Sequence, residues 1–291
     1  MVEHSISNSS DQTESIIGVF DSGVGGLSIL NSLYHLIPNQ PILFVADQAH
    51  VPYGPRPMDE VRDFSVAITE FLLAQGAEII VVACNTASAA ALSYLREKFP
   101  HIPFVGMEPA VKPAAEQTQS GVVGVLATPA TFQGALYASV VERFASHVTI
   151  MQNTCVGLVE EIEAGDLNGL KIRSILENAL HPMLEAGIDT VVLGCTHYPF
   201  AIPLIQEITG ENVRVINPAE AVARQTKRML EKHGKAATSQ LPATPLCYSS
   251  ADPKALQTLA SRLLEHEVNT DKVCWSNTPS PILSICKNRL S

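Results

Sequence analysis

Gly76-Ala-Glu-Ile-Ile-Val-Val-Ala-Cys84 and Gly187-Ile-Asp-Thr-Val-Val-Leu-Gly-Cys195 are the two stretches that decide the fold. In each, a glycine precedes a cysteine by eight residues, with a mostly aliphatic run between them. A glycine after an amphipathic stretch is a natural left-handed helix stop, and a short apolar run bounded by turn residues reads as a buried strand. The spacing therefore predicts helix, Gly76, strand 78–83 and Cys84, then helix 170–186, Gly187, strand 190–194 and Cys195. Polar residues follow both cysteines: Asn85-Thr86 in one half and Thr196-His197 in the other.

Outward from these stretches the order of elements also repeats. Strand 16–20 ends at Asp21-Ser22-Gly23, and a helix follows over 27–36 with Leu27, Leu30, Leu33 and Tyr34 on one face. Strand 42–46 leads through the proline-rich segment 47–57 to a helix ending near Ala74. In the second half, strand 122–127 precedes a helix over 132–144, a strand over 148–151 and a loop over 152–157. After Asn217-Pro218 come a helix over 220–232, a strand over 246–249 and a helix over 253–264, which return the chain to the first unit.

Strands alternating with helices indicate α/β architecture with parallel sheets. The expectation is two similar α/β domains related by a pseudo-twofold, 16–108 with 219–291 and 109–218, preceded by a disordered polar tail over 1–15. Ligands of open parallel sheets bind beyond the carboxyl ends of the strands, so facing units would place Cys84 and Cys195 in one cleft.

Composition narrows the function classes. Lys and Arg number 19 against 29 Asp and Glu, a net charge of −10, which argues against a phosphate-backbone binder and hence against a nucleic-acid partner. No apolar run reaches the length of a membrane span. The tail lacks the basic-then-apolar order of a signal peptide, so the protein is expected in the cytoplasm with all six cysteines as free thiols. No C-x-x-C pair occurs, and Cys195-x-His197 has no further ligands nearby, so no metal site is expected. The polar turns contain no lysine for a pyridoxal cofactor.

A thiol is well suited to proton exchange at carbon, because its ordinary pKa is close enough to neutrality to tune. One thiol on each face of a carbon can remove a proton from one side and return one to the other. Matched strand-end positions lift Cys84 and Cys195 above the usual reading of a cysteine as a buried core residue, which Cys155, Cys247, Cys274 and Cys286 retain. Asp21 either orients an ammonium group or a thiol, or caps the following helix. His197 can hold a thiolate. Asn85, Thr86 and Thr196 are either ligand-binding groups or helix caps. The Gly23-Val24-Gly25-Gly26 loop departs from a nucleotide fingerprint and is expected to aim backbone N–H groups at a small anion such as a carboxylate.

Five segments together resemble the glutamate racemases of the aspartate/glutamate racemase superfamily: Gly18-Val-Phe-Asp-Ser-Gly-Val-Gly-Gly26, Pro52-Tyr53-Gly54, Val81-Val-Ala-Cys-Asn-Thr-Ala-Ser88, Gly124-Val-Leu-Ala-Thr128 and Gly194-Cys-Thr-His-Tyr-Pro199. The resemblance implies cofactor-independent interconversion of L- and D-glutamate for peptidoglycan, with Cys84 and Cys195 on opposite faces of the substrate. It implies Asp21 and His197 as supporting acid/base groups and Asp21, Ser22, Tyr53, Gly54, Asn85, Thr86, Thr196 and His197 as the substrate-holding set. A further supporting carboxylate is implied near Glu160, where Cys155-Val-Gly-Leu-Val-Glu-Glu161 leaves Glu160 and Glu161 unseparated. The partners implied are glutamate, a second copy of the chain as a candidate, and a peptidoglycan nucleotide precursor as a candidate activator. Relatives acting on aspartate, hydantoins or maleate are the nearest competing reading.

Overall fold

The computed structural model describes residues 15–276, 278 and 280–286. The expected disordered tail, Ser15 apart, lies outside the described residues, as do 287–291. The first unit runs β1 (Ile16–Asp21), α1 (Leu27–Leu36), β2 (Ile42–Ala46), α2 (Met58–Ala74), β3 (Ala77–Val82), α3 (Asn85–Lys98) and β4 (Phe104–Gly106). Every residue of β2 is buried, as a strand covered by helices on both faces must be. Leu27, Ile29, Leu30 and Leu33 form the buried stripe of α1, while Tyr34 packs at its edge. Gly76 and Gly187 both adopt positive φ, +89° and +82°, which turns the chain from helix into the cysteine-bearing strand.

From α4 (Val111–Gln117) the chain enters a second unit: β5 (Val122–Ala127), α5 (Pro129–Gln133), α6 (Ala135–Phe144), β6 (Thr149–Asn153), α7 (Leu158–Glu163), α8 (Leu170–Glu185), β7 (Thr190–Gly194), α9 (Ile202–Thr209) and β8 (Arg214–Ile216). It returns through α10 (Ala219–Lys232), β9 (Leu246–Ser249), α11 (Pro253–Leu264), β10 (Asn269–Trp275) and β11 (Leu283–Ile285).

The first sheet has the order β11-β10-β9-β2-β1-β3-β4 and the second β6-β5-β7-β8. All pairings are parallel except β10 with β11. The sequence repeat therefore reappears as strand order: β2-β1-β3-β4 in one sheet matches β6-β5-β7-β8 in the other. Cys84 follows the third strand of its unit and Cys195 the third strand of the other, next to the point where strand order reverses and open sheets receive ligands.

Three expectations need correction. The helix expected over 132–144 is two helices, because Thr128 accepts the Thr131 N–H as a cap, Pro129 starts α5 at once, and Gly134 interrupts with extended geometry. The stretch expected as a loop over 152–157 completes β6 and leads into α7 through Gly157 at φ +90°. Only four cysteines are free: Cys274 and Cys286 form a disulfide, with Cα atoms 5.1 Å apart. Compartment reasoning says nothing about proximity, and here the antiparallel pairing of β10 and β11 sets Cys274 opposite Ser284, two residues from Cys286. Among the described residues no helix is long and apolar enough to cross a membrane.

Candidate active site

The carboxyl ends of the two sheets share one small, tightly walled cavity. Ser22, Tyr53, Gly54, Cys84, Asn85 and Thr86 line it from the first unit. Thr128, Val159, Cys195, Thr196 and His197 line it from the second. Thus both candidate thiols face one space, one delivered by each sheet. Asp21 lies just behind this wall, fully buried.

On the Cys84 side, the thiol is buried and its Sγ lies 3.9 Å from Ser22 Oγ. Burial pushes the Cys84 pKa well above that of a free thiol, and the neighbouring Asp21 charge pushes it the same way. Burial also raises the Asp21 carboxyl, against the opposing pull of His197. Asp21 Oδ2 accepts the Gly26 N–H at 2.6 Å, and the Thr196 hydroxyl lies 3.4 Å from Oδ1 and 3.3 Å from Oδ2. Asp21 therefore holds the backbone just before α1, whose N-cap position is Gly26, and reaches the opposite unit.

On the Cys195 side, His197 Nδ1 lies 3.8 Å from Cys195 Sγ and Nε2 donates to Glu163 Oε1 at 2.6 Å. Burial disfavours a charged imidazole, yet the hydrogen bonds to Cys195 and Glu163 prevail and hold the His197 pKa well above its ordinary value. The Glu163 carboxyl is correspondingly low: burial works against the anion, but His197 outweighs it. Val24 N–H donates to the same Glu163 oxygen at 2.7 Å, and Gln48 Nε2 lies 3.4 Å from the other. Gly23 and Gly25 make this possible. A β-carbon on Gly23 would overlap the Glu163 carboxylate, and one on Gly25 would come within 2.6 Å of His197 Nδ1. The glycine loop does aim N–H groups at carboxylates, but they are the protein's own, Glu163 and Asp21.

This corrects the expectation at Glu160. Glu160 is exposed and Glu161 pairs with Lys171 at 2.5 Å, so Glu163 is the carboxylate at the imidazole. The signal was helical: Val159 lines the cavity, and Glu163 lies one turn further along the same face of α7.

Asn85 is buried, and among the described residues neither its Oδ1 nor its Nδ2 has a hydrogen-bond partner. A buried amide without partners is costly, so its place in the cavity wall points to a polar ligand. Thr86 does not cap: its hydroxyl lies 2.9 Å from Thr128 Oγ1, which lies 2.9 Å from Thr131 Oγ1, a hydroxyl chain joining the two units. Tyr53 lines the cavity and is buried, with its hydroxyl donated to Asp47 at 2.7 Å.

The sequence profile of the Asp/Glu/hydantoin racemase family matches residues 27–226. A glutamate racemase of Ectopseudomonas mendocina (strain ymp) is 50% identical over 254 residues, covering 87% of this chain and 96% of that protein. Among solved structures, the glutamate racemase isoform RacE1 of Bacillus anthracis aligns with a TM-score of 0.79 at 31% identity, covering 90% of this chain and 98% of the other. The Escherichia coli glutamate racemase, in complex with L-glutamate and the activator UDP-MurNAc-Ala, aligns with a TM-score of 0.78 at 32% identity, covering 89% and 97%.

Proposed function

The chain belongs to the Asp/Glu/hydantoin racemase family and is an amino-acid racemase; from that premise we propose that it interconverts L- and D-glutamate by two-base proton transfer between Cys84 and Cys195. The observation that carries this reading is that the two thiols line one cavity, each from the equivalent strand end of its own unit and each beside a different acid/base partner. In one direction, one sulfur begins as thiolate and takes the α-proton, while the other begins as thiol and protonates the carbanion on its opposite face. The reverse direction exchanges the roles.

Burial makes Cys84 rest as a thiol, and Asp21 is the adjacent group able to take its proton. Next to Cys195, the charged imidazole of His197, held by Glu163, supplies the matching proton source. Two carboxylates and an ammonium group suit the unpartnered Asn85 amide and the hydroxyls of Ser22, Thr86, Thr128 and Thr196. The substrate assignment draws on the relatives' glutamate racemase names and the L-glutamate of the E. coli complex. The reaction needs no cofactor and would supply D-glutamate for peptidoglycan. We assign 16–108 with 219–291 to one domain and 109–218 to the other, since each sheet draws all its strands from one of these ranges.

Incubation of the protein with L-glutamate in D2O tests the reading. Optical activity and the α-proton signal should decay together without added cofactor. If both persist, alone and with a peptidoglycan nucleotide precursor added, the glutamate assignment falls and aspartate becomes the next substrate to try.

A further inference from the structure

Asp47, one residue beyond β2, is fully buried and does not line the cavity, yet four side chains converge on its carboxylate. Tyr53 Oη donates to Oδ2 at 2.7 Å and His50 Nδ1 lies 2.9 Å from the same oxygen. Ser250 Oγ and Trp275 Nε1 each donate to Oδ1 at 2.7 Å. The two oxygens thus serve different regions. Oδ2 holds the Pro52-Tyr53-Gly54 wall of the cavity, and Oδ1 holds the residue after β9 and the last residue of β10. Rings reinforce the same link: His50 stacks on Phe64 at 4.0 Å, and Trp275 and Tyr53 pack on Phe64 with centroids 5.4 and 5.8 Å away.

We propose that Asp47 is a positioning residue for substrate binding, which clamps the Tyr53-Gly54 wall and makes the C-terminal strands β9 and β10 part of the active-site support. The inference rests on reading the shared cavity as the racemase site. Burial and the Asp47 charge keep the Tyr53 phenol protonated, so its hydroxyl donates inward. The hydroxyl is thereby committed to Asp47 and cannot turn to the substrate. What Asp47 fixes is where the Tyr53 ring and the Tyr53-Gly54 backbone stand. A carboxylate with every direction taken by a donor holds that geometry closely, and charged hydrogen bonds are the strong ones. Binding is the property to watch, because a displaced wall loosens ground state and transition state alike, which raises KM and leaves kcat.

The test is steady-state racemisation by Asp47→Asn, Trp275→Phe and Ser250→Ala, measured on the amino acid the wild-type enzyme turns over. Wild-type turnover of glutamate is thus read separately and decides the functional reading by itself. Asp47→Asn should raise KM about tenfold with kcat within about threefold, the size expected from losing one charged hydrogen bond. Trp275→Phe and Ser250→Ala, each far in sequence from the cavity wall, should raise KM by about threefold. Adding Tyr53→Phe to Asp47→Asn should raise KM no further, since both act through one contact. Unchanged KM in all three single variants, with only melting temperature or active fraction reduced, overturns the proposal in favour of a purely structural hub. A large fall in kcat at constant KM overturns it in favour of a direct role in proton transfer. If Asp47→Asn fails to fold, Trp275→Phe and Ser250→Ala decide by the same criterion.

Discussion

Glu163 and His197, 34 positions apart in sequence, meet at 2.6 Å in a pocket that leaves the His197 side chain 2% exposed. The pair is a buried ion pair with extra support, since Val24 N–H shares the carboxylate oxygen and Cys195 sits at the other imidazole nitrogen. Removing one member leaves the other charge buried without compensation. Glu163→Gln should therefore lower kcat/KM at least tenfold and destabilise the fold by about 2 kcal/mol at neutral pH, read by steady-state assay and urea melts. Wild-type values in both assays would place the proton source for Cys195 elsewhere.

The same pair sets a pH window. His197 is raised above its ordinary 6.5, so its stabilising contribution is complete below about 6.5 and disappears as pH climbs through the raised value. Glu163 is lowered below its ordinary 4.5, so its contribution is present above about 4.5 and is lost as pH falls through the lowered value. Stability attributable to the pair should be flat from about 4.5 to 6.5 and decline above that, while activity that depends on the charged imidazole persists until pH nears the raised His197 value. In Glu163→Gln the alkaline limb of kcat/KM should move down toward the ordinary imidazole range. An alkaline limb that stays in place would dissociate it from His197.

Much of the frame was legible in the sequence because its signals are local. A glycine stop, an aliphatic run and a polar turn are each read within a few residues, and Gly76–Thr86 and Gly187–His197 contain all three. The boundaries of α1, β2, β5 and β7 follow the same rule. What escaped depends on contacts between distant segments. Glu163 is distinguished from Glu160 only by which face of α7 meets His197. β10 has one buried residue, Val273, among exposed and half-buried ones, so it carries no apolar pattern, and its value lies in Trp275 reaching Asp47. The Cys274–Cys286 bond likewise exists because an antiparallel pairing, invisible in the spacing, brings the two residues together.

Cys84→Ser and Cys195→Ser separate the two faces of the substrate. Each should lose racemisation by about a thousandfold or more, within the range a positioned acid/base group supplies, while D-glutamate still binds by calorimetry. With an amino acid carrying a β leaving group, each variant should eliminate from one enantiomer only, and the two variants should choose opposite enantiomers. Equal residual elimination from both enantiomers in either variant would be incompatible with one thiol per face.

Gly25→Ala tests how closely the glycine loop must approach the Cys195-Thr196-His197 turn. The added β-carbon would sit 2.6 Å from both His197 Nδ1 and Thr196 Oγ1, closer than real contacts allow. His197 cannot retreat without leaving Glu163, so the cost falls on the imidazole's position. Activity should drop at least tenfold and stability by about 1–3 kcal/mol, the usual range for overpacking a core. A variant with wild-type kcat would show that the loop yields instead of the histidine.

Asn85 offers a case where function and stability pull in opposite directions. Its amide is buried at the start of α3, and neither polar atom has a partner among the described residues. Such a group destabilises the unliganded protein, and alanine is both apolar and the best helix former. Asn85→Ala should therefore leave the melting temperature of the unliganded enzyme unchanged or raise it by about 2–4 °C, the shift expected from roughly 1 kcal/mol in a chain of this size. The same change removes two hydrogen-bonding atoms from the cavity wall, so KM for glutamate should rise about tenfold or more. The stabilisation that saturating glutamate gives the wild-type protein should shrink with it, because ligand-induced stability follows occupancy. A fall in melting temperature together with unchanged KM would mean that Asn85 supports the fold and does not meet the substrate.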